Sequence, residues 1–187
     1  MEQHKAYQQI QERLKALGVP CYQAVERGKA QITTAFHAER SPGKCVESCI
    51  WFFSEVMEAR TYYSEAGMEI CKHSEHKDKL LRVLNYINAR VFLCCADGTG
   101  GALYPPHMLY TPRFYLTEDQ CFDITATTII PYDFFELAPV ETLDYLTDFC
   151  PELLDRLSIP IYGTLLGMLT PEEAICGIND EFGLSDA

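Results

Sequence analysis

The spacing of hydrophobic residues changes from a helical to a strand period within the first third of the chain. In residues 4–17 hydrophobic side chains recur every three or four positions, which predicts an amphipathic helix that ends at Gly18. Between residues 21 and 64 the period shortens toward two, which predicts two hairpins, the first of them turning at Arg27-Gly28. The chain is therefore predicted to begin with a helix and about four strands.

Residues 74–95 are the segment around which the remaining elements are predicted to be arranged. Ser74 is a favoured N-cap residue, and the helix that follows it carries its hydrophobic residues on one face. This predicted buried stripe consists of Leu80, Leu84 and Ile87. Residues 67–72 are predicted to form a connection that includes a short strand, and residues 90–95 a further strand.

The second half of the chain is predicted to contain a hairpin and then helices. The hairpin turns around residues 118–120 and its second strand ends at Pro131. A helix is predicted from Pro139, interrupted at Pro151, and a capping box at residues 170–173 begins the last helix. The carboxylates of the first of these helices are predicted to form a solvated face, and they are Asp144, Asp148, Glu152 and Asp155.

The predicted order of elements is a helix, three to four strands, a helix, two to three strands and a final helical region. This order indicates an α+β fold in which helices flank an antiparallel β-sheet. Residues 1–187 contain no repeat or linker, so they are predicted to form a single domain with a C-terminal helical extension from about 158 to 180.

Composition narrows the classes of function. Hydrophobic residues make up 48% of the chain, which is enough for a core, and the formal net charge of −12 disfavours nucleic acid and anionic lipid as partners. The chain has no long apolar run and begins with a polar helix, so we expect a cytoplasmic protein without a membrane span. In the reducing cytoplasm, the nine cysteines are expected to be small buried hydrophobes rather than disulfide partners.

One pair of cysteines and one pair of histidines are candidates for a metal or redox site. Cys45 and Cys49 are predicted to lie on one strand, where four residues span ~13 Å, too far to share a metal ion. His73 and His76 lie three residues apart near a helix start, but no third ligand is identifiable beside them. We therefore assign no catalytic residue, no metal ligand and no cofactor.

Three segments resemble the YbjN-like proteins, whose fold is related to that of the type III secretion chaperones. Residues 79–95 are similar to the helix-to-strand segment of this family, with its L-x-x-x-N-x-x-N spacing. Residues 127–157 look like the final strand and long helix, and residues 170–175 like the terminal helical extension. The resemblance implies a non-enzymatic, dimer-forming module that acts through protein contacts.

The expected function is a cytoplasmic protein-binding module, chaperone-like or regulatory, that acts as a homodimer with an unknown protein partner. The expected contact surface combines an aromatic strand with the apolar part of a long loop, residues 96–111, and its residues are Trp51, Phe53, Leu103, Tyr104, Met108, Leu109 and Tyr110. Two alternatives stay open. One is a thiol- or metal-dependent site assembled from scattered cysteine and histidine residues, and the other is a small-molecule site with loop 96–111 as its lid.

Overall fold

The computed structural model describes residues 2–26, 28–91, 110–117 and 121–184. Its strands are β1 (Cys21–Glu26), β2 (Lys29–His37), β3 (Cys45–Phe52), β4 (Val56–Tyr63), β5 (Arg113–Leu116) and β6 (Ile124–Pro131). Its helices are α1 (Gln3–Ala16), α2 (Glu65–His73), α3 (Lys77–Tyr86), α4 (Tyr132–Leu137), α5 (Pro139–Asp144), α6 (Cys150–Leu165) and α7 (Pro171–Phe182). Short π-helical segments follow α3 (Ile87–Val91) and α5 (Tyr145–Phe149), and a 3-10 turn (Pro42–Lys44) precedes β3.

The six strands form one antiparallel sheet in the order β1-β2-β3-β4-β6-β5. The predicted α+β class is therefore confirmed. Strands β1 to β4 pair in chain order, and the predicted turn near residues 54–55 joins β3 to β4. The pairing of Glu26 with Lys29 fits the first predicted hairpin, of whose turn at 27–28 only Gly28 is among the described residues. Strand β6 then pairs with β4, which places the short strand β5 at the far edge of the sheet.

The helices of the described residues pack on one face of the sheet. Alternate residues of the strands, such as Ile50 and Phe52 of β3, are buried beneath α1 and α6. Polar groups on this face are paired internally: the hydroxyls of Ser48 and Thr61 lie 2.7 Å apart, and Tyr63 donates to the carbonyl of Leu154 at 2.7 Å. This pairing offsets the desolvation of polar groups in the core.

The segment predicted as a connection with a short strand is helix α2, so that prediction was wrong. Hydrophobic residues at 68, 70 and 71 fit both a short strand and one side of a helix, and tertiary packing decides in favour of the helix. Gly67 permits the packing, because a Cβ atom there would lie 2.2 Å from the hydroxyl of Tyr162 on α6.

The helix predicted from Ser74 begins three residues later, at Lys77. Ser74 instead joins two helices, since its hydroxyl donates to the carbonyl of Leu165 at 2.6 Å and accepts the backbone N–H of His76 at 3.0 Å. The predicted stripe is confirmed, because its leucines and Ile87 are all buried. The strand predicted from Arg90 is contradicted at 90 and 91, which are π-helical, and its remainder lies outside the described residues.

The C-terminal region is more helical and more tightly packed than predicted. Strand β6 ends at Pro131 as expected, but α4 begins directly after it. The interruption was predicted at Pro151, but Pro151 lies in the first turn of α6 and the irregular π-helical segment 145–149 precedes it. Helix α6 then continues through position 158, where the C-terminal extension was predicted to begin. The capping box of Thr170 and Glu173 is confirmed, and α7 extends to the buried Phe182.

Two of the carboxylates predicted to be solvated form specific contacts. Asp144 binds Arg13 at 2.6 Å, and Asp155 accepts the backbone N–H of Arg40 at 2.8 Å and the hydroxyl of Ser41 at 2.9 Å. These bonds attach α1 and the β2–β3 connection to the helix layer.

Among the described residues, none of the helices combines the length and hydropathy that a membrane crossing requires.

Candidate functional site

The sheet surface opposite the helices is the candidate site, and we call it the open face. Its residues alternate with the core residues along β2, β3, β4, β5 and β6. They include Gln31, Thr33, Glu47, Cys49, Trp51, Glu58, Arg60, Tyr62, Tyr115, Thr127 and Ile129. The open face therefore combines aromatic, charged and amide side chains, whereas the helix-covered face is mostly aliphatic and aromatic.

The centre of the open face is a stacked pair from two neighbouring strands. The guanidinium of Arg60 lies 4.9 Å from the centre of the Trp51 ring, and its Nε donates to Glu58 at 2.7 Å. Trp51 pairs with Glu58 in the register of β3 and β4, which places the three side chains together. A guanidinium held between a carboxylate and an indole ring is fixed in orientation before any partner arrives.

Cys49 lies beside this pair and is only 3% exposed although it is on the open face. The side-chain amide of Gln31 donates to its sulfur at 2.8 Å, and the hydroxyl of Thr33 lies 3.6 Å from it. These neighbours are an amide and a hydroxyl, and neither is a base that accepts a thiol proton at neutral pH. Cys49 is therefore a buried and hydrogen-bonded side chain within the open face, paired with Arg60 in the register of β3 and β4.

Tyr62 extends the aromatic surface toward the β5 edge. Burial raises the pKa of its phenol well above the ordinary value, and the adjacent Glu47 raises it further. The phenol is therefore neutral at physiological pH and serves as a hydrogen-bond donor to Glu47. At the opposite end of the open face, the ammonium of Lys29 lies 4.3 Å from the centre of the Phe53 ring.

The predicted contact residues separate into three groups. Trp51 and Phe53 are half-buried and belong to the sheet surface opposite the helices. The structure places Tyr110 in the core at 3% exposure, where its hydroxyl bonds Thr142 and its ring packs against Tyr145. The loop residues Leu103, Tyr104, Met108 and Leu109 lie outside the described residues.

The arrangement of cysteine and histidine residues bears on the thiol or metal alternative. Within the described ranges, no three His, Cys, Asp or Glu side chains are placed to share one metal ion. Burial raises the pKa of the Cys71 and Cys150 thiols to about 11, so neither is a reactive thiolate at neutral pH. His73 lies 3.3 Å from Glu69 on an exposed turn of α2.

Two grooves lie on the surface of the described residues. One, of about 430 Å³, lies between α2 and α6 and is mostly apolar, with the exposed Ile159, Leu166 and Met168 at its margin. The other, also about 430 Å³, lies at the β5–β6 edge and is lined by Tyr110, Thr111, Arg113, Tyr115, Thr127, Thr128 and Ile129. The second groove adjoins the C-terminal end of the loop that was proposed as a lid.

The contact of Arg60 with Trp51 is a feature of the candidate site that the sequence did not reveal. Both strands were predicted, but their register was not, and the register alone places these two residues together. Gln31 reaches Cys49 through the register of β2 and β3 in the same way. Comparison of the chain with protein-family models, curated proteins and solved structures found no match.

Proposed function

We propose that this protein is a non-enzymatic protein-binding module, chaperone-like or regulatory, which acts as a homodimer and recognises its partner with the open face. The observation that carries the proposal is the stack of Arg60 on Trp51, held by Glu58, on a sheet surface that the described helices leave uncovered. Tryptophan, tyrosine and arginine are the residues most enriched in the energetically important centres of protein interfaces.

The open face is suited to recognition by side chains rather than by backbone. The central strands β3 and β4 are paired on both sides, so their backbone groups are already satisfied. Bonds among the surface side chains reduce the entropy that they lose on binding, which favours affinity. The half-buried rings of Trp51, Phe53 and Tyr62 supply the apolar area.

Charge indicates the kind of partner. A chain with a net charge of −12 attracts basic proteins at long range and repels acidic ones. We therefore propose a basic protein segment whose aliphatic side chains cover Trp51 and Tyr62. Its association rate decreases as salt concentration rises, because exposed charges are screened.

The test uses arrayed peptides that are rich in lysine, arginine and aliphatic residues, with sequence-matched acidic peptides as the reference. The wild-type chain is expected to bind the basic set, and Trp51→Ala is expected to bind at least about tenfold more weakly. Leu81→Ala is the matched control, because Leu81 is an exposed hydrophobic residue of α3 on the helix side. Equal binding of both peptide sets, or unchanged binding by Trp51→Ala, would refute the proposal.

The groove at the β5–β6 edge favours a second candidate, a small-molecule site. One guanidinium, from Arg113, and several hydroxyls line it, which suits a small polar anion. Titration with inorganic phosphate and with malate, followed by the amide resonances of Thr111 and Thr127, tests this candidate. Saturable shifts that disappear in Arg113→Ala support it, and the absence of shifts at millimolar ligand rejects it.

A further inference from the structure

The two edges of the sheet differ in whether their backbone groups are protected. At the β5 edge, the side chain of Asn88 occupies the position of a neighbouring strand. Its amide nitrogen donates to the carbonyl of Phe114 at 2.8 Å, and its oxygen accepts the N–H of Phe114 at 2.8 Å. Both outward groups of Phe114 are thus satisfied, which hinders the addition of another strand at the centre of this short edge.

At the β1 edge, the strand register shows which backbone groups point outward. Glu26 and Lys29 are the last pair of the β1–β2 hairpin, with two residues between them, and such a pair exchanges both of its backbone hydrogen bonds. Hydrogen-bonded pairs alternate along the ladder, so Tyr22 and Ala24 also bond toward β2. The N–H and C=O groups of Cys21, Gln23 and Val25 therefore point away from the sheet.

This outer edge lacks the features that normally prevent association of strands. Residues 21–25 contain no charged residue and no proline. Tyr22 and Val25 are 77% and 75% exposed, although both belong to residue types that favour strands. An uncharged, exposed edge strand of this kind is a template for a further strand.

We propose that β1 pairs with β1 of a second copy of this chain, antiparallel and about a two-fold axis at Gln23. Cys21 then faces Val25 of the second copy, and Gln23 faces its own equivalent. The three outward residues of each copy form roughly six backbone hydrogen bonds, two for each pair. The inference names the dimer surface of the proposed function and rests on the dimeric state proposed there.

A second copy fits this edge better than an unrelated chain for two reasons. The outward groups of Cys21, Gln23 and Val25 are spaced symmetrically about Gln23, so the same strand in antiparallel orientation satisfies all of them. Two chains of net charge −12 repel each other, and an uncharged strand is a place where they can meet without adding like charges to the contact. The pairing covers Tyr22 and Val25 and leaves Trp51 and Arg60 accessible on a wider continuous sheet.

The test is the Gln23→Pro variant, with Gln23→Thr as its matched control. Proline removes the outward N–H without removing a bond to β2, whereas threonine keeps the N–H and favours strands. In sedimentation velocity experiments at micromolar concentration, the wild type and Gln23→Thr are expected to be dimers and Gln23→Pro a monomer. Circular dichroism is expected to be the same for all three proteins.

Amide hydrogen exchange of the wild type gives a second measurement that needs no variant. The amides of Gln23 and Val25 are expected to be protected from exchange at dimer-forming concentration. On dilution to monomer they are expected to exchange at least about tenfold faster, because the hydrogen bonds across the dimer no longer protect them. A wild type that is monomeric at all concentrations overturns the inference, as does a Gln23→Pro variant that is folded and dimeric. If Gln23→Pro does not fold, fast exchange at Gln23 and Val25 in the wild-type dimer overturns it.

Failure of this inference and failure of the proposed function give different results. The sedimentation of Gln23→Pro tests the pairing of β1 with β1, whereas the binding of Trp51→Ala to the peptide array tests partner binding. If Gln23→Pro is folded and remains a dimer while the wild type binds basic peptides, only the proposed β1 pairing is refuted. If Gln23→Pro is a monomer and the wild type binds no basic peptide, the β1 pairing is supported and the proposed partner recognition is refuted.

Discussion

The two faces of the sheet are built from the same strands and differ in almost every physical property. On β3, Ile50 and Phe52 are buried beneath helices, while Cys49 and Trp51 belong to the open face. The helix side pairs its few polar groups internally, and the open face carries Arg60, Glu58 and Tyr62. Because strand residues alternate with a period of two, one segment of sequence specifies a core and a candidate binding surface at once.

Substitutions at adjacent positions of β3 are the strongest test of the difference between the two faces. We expect Phe52→Ala to lower the free energy of unfolding by about 3–5 kcal/mol, because the ring is fully buried and a cavity remains. We expect Trp51→Ala to cost about 1 kcal/mol or less, because its ring is half-buried and stacks on Arg60. Urea unfolding of both variants measures the difference.

Equal destabilisation by the two substitutions would contradict the distinction between a structural and a functional face. Phe52→Leu is the matched control, since it retains most of the apolar volume and is expected to cost less than Phe52→Ala. The m-values of the three proteins should agree, which shows that the same surface is exposed on unfolding.

The next largest effect tests how tightly the helix layer is packed. Gly67→Ala would place a Cβ atom 2.2 Å from the hydroxyl of Tyr162, and we expect a cost of about 1–3 kcal/mol in unfolding free energy. Gly177→Ala in α7 is the control, because no atom lies within 4 Å of a Cβ there. This control is expected to be stabilising by about 0.5–1 kcal/mol. Thermal unfolding that shows the same sign for both would contradict the packing described for α2.

Periodicity in the sequence predicted the strands of both faces but not their contacts. The apolar run within β3 and the alternation along β4 were sufficient to place both strands and their turn near residues 54–55. The register was not predictable, because it depends on backbone pairing between distant segments rather than on local pattern. The stack of Arg60 on Trp51 therefore emerged only from the structure.

Other differences between the predicted and the observed elements arise where a short segment is compatible with both a helix and a strand, or where a contact is long-range. Residues 65–73 are too short for their periodicity to distinguish a helix from a strand, and the contact of Gly67 with α6 decides. Asparagine is common at helix ends, but Asn88 binds a distant residue, since its partner, Phe114, lies 26 residues away. Local sequence contains no signal for such a long-range bond.

The next prediction concerns the bonds that protect the β5 edge. We expect Asn88→Ala to lower the free energy of unfolding by about 1–2 kcal/mol, because two hydrogen bonds to Phe114 are lost. Faster amide exchange at Phe114 is the direct measurement. Asn85→Ala, at an exposed position of α3, is the control and should change stability by less than about 0.5 kcal/mol. Unchanged exchange at Phe114 in Asn88→Ala would show that the side chain does not close this edge.

The smallest expected effect concerns an ion-pair network at the periphery of the helix layer. Glu181 accepts hydrogen bonds from Arg156 and Arg40, both at 2.9 Å. Partial burial opposes ionisation of Glu181, but the two guanidinium groups outweigh it and lower the pKa of this carboxyl. The network attaches the β2–β3 connection to α6 and α7 on the helix-covered side of the sheet.

A carboxyl whose pKa is lower in the folded state stabilises the protein above its unfolded pKa of about 4.3. That stability is lost as pH falls through the folded value, so wild-type stability should decrease below about pH 5. Glu181→Gln should cost less than about 1 kcal/mol at pH 7, since the pair is partly exposed, and should flatten the decrease at low pH. Urea unfolding between pH 3 and 7 measures both quantities. If the two proteins lose stability in parallel as pH falls, other carboxylates control the acid transition, and the Glu181 network does not contribute to holding the helix layer.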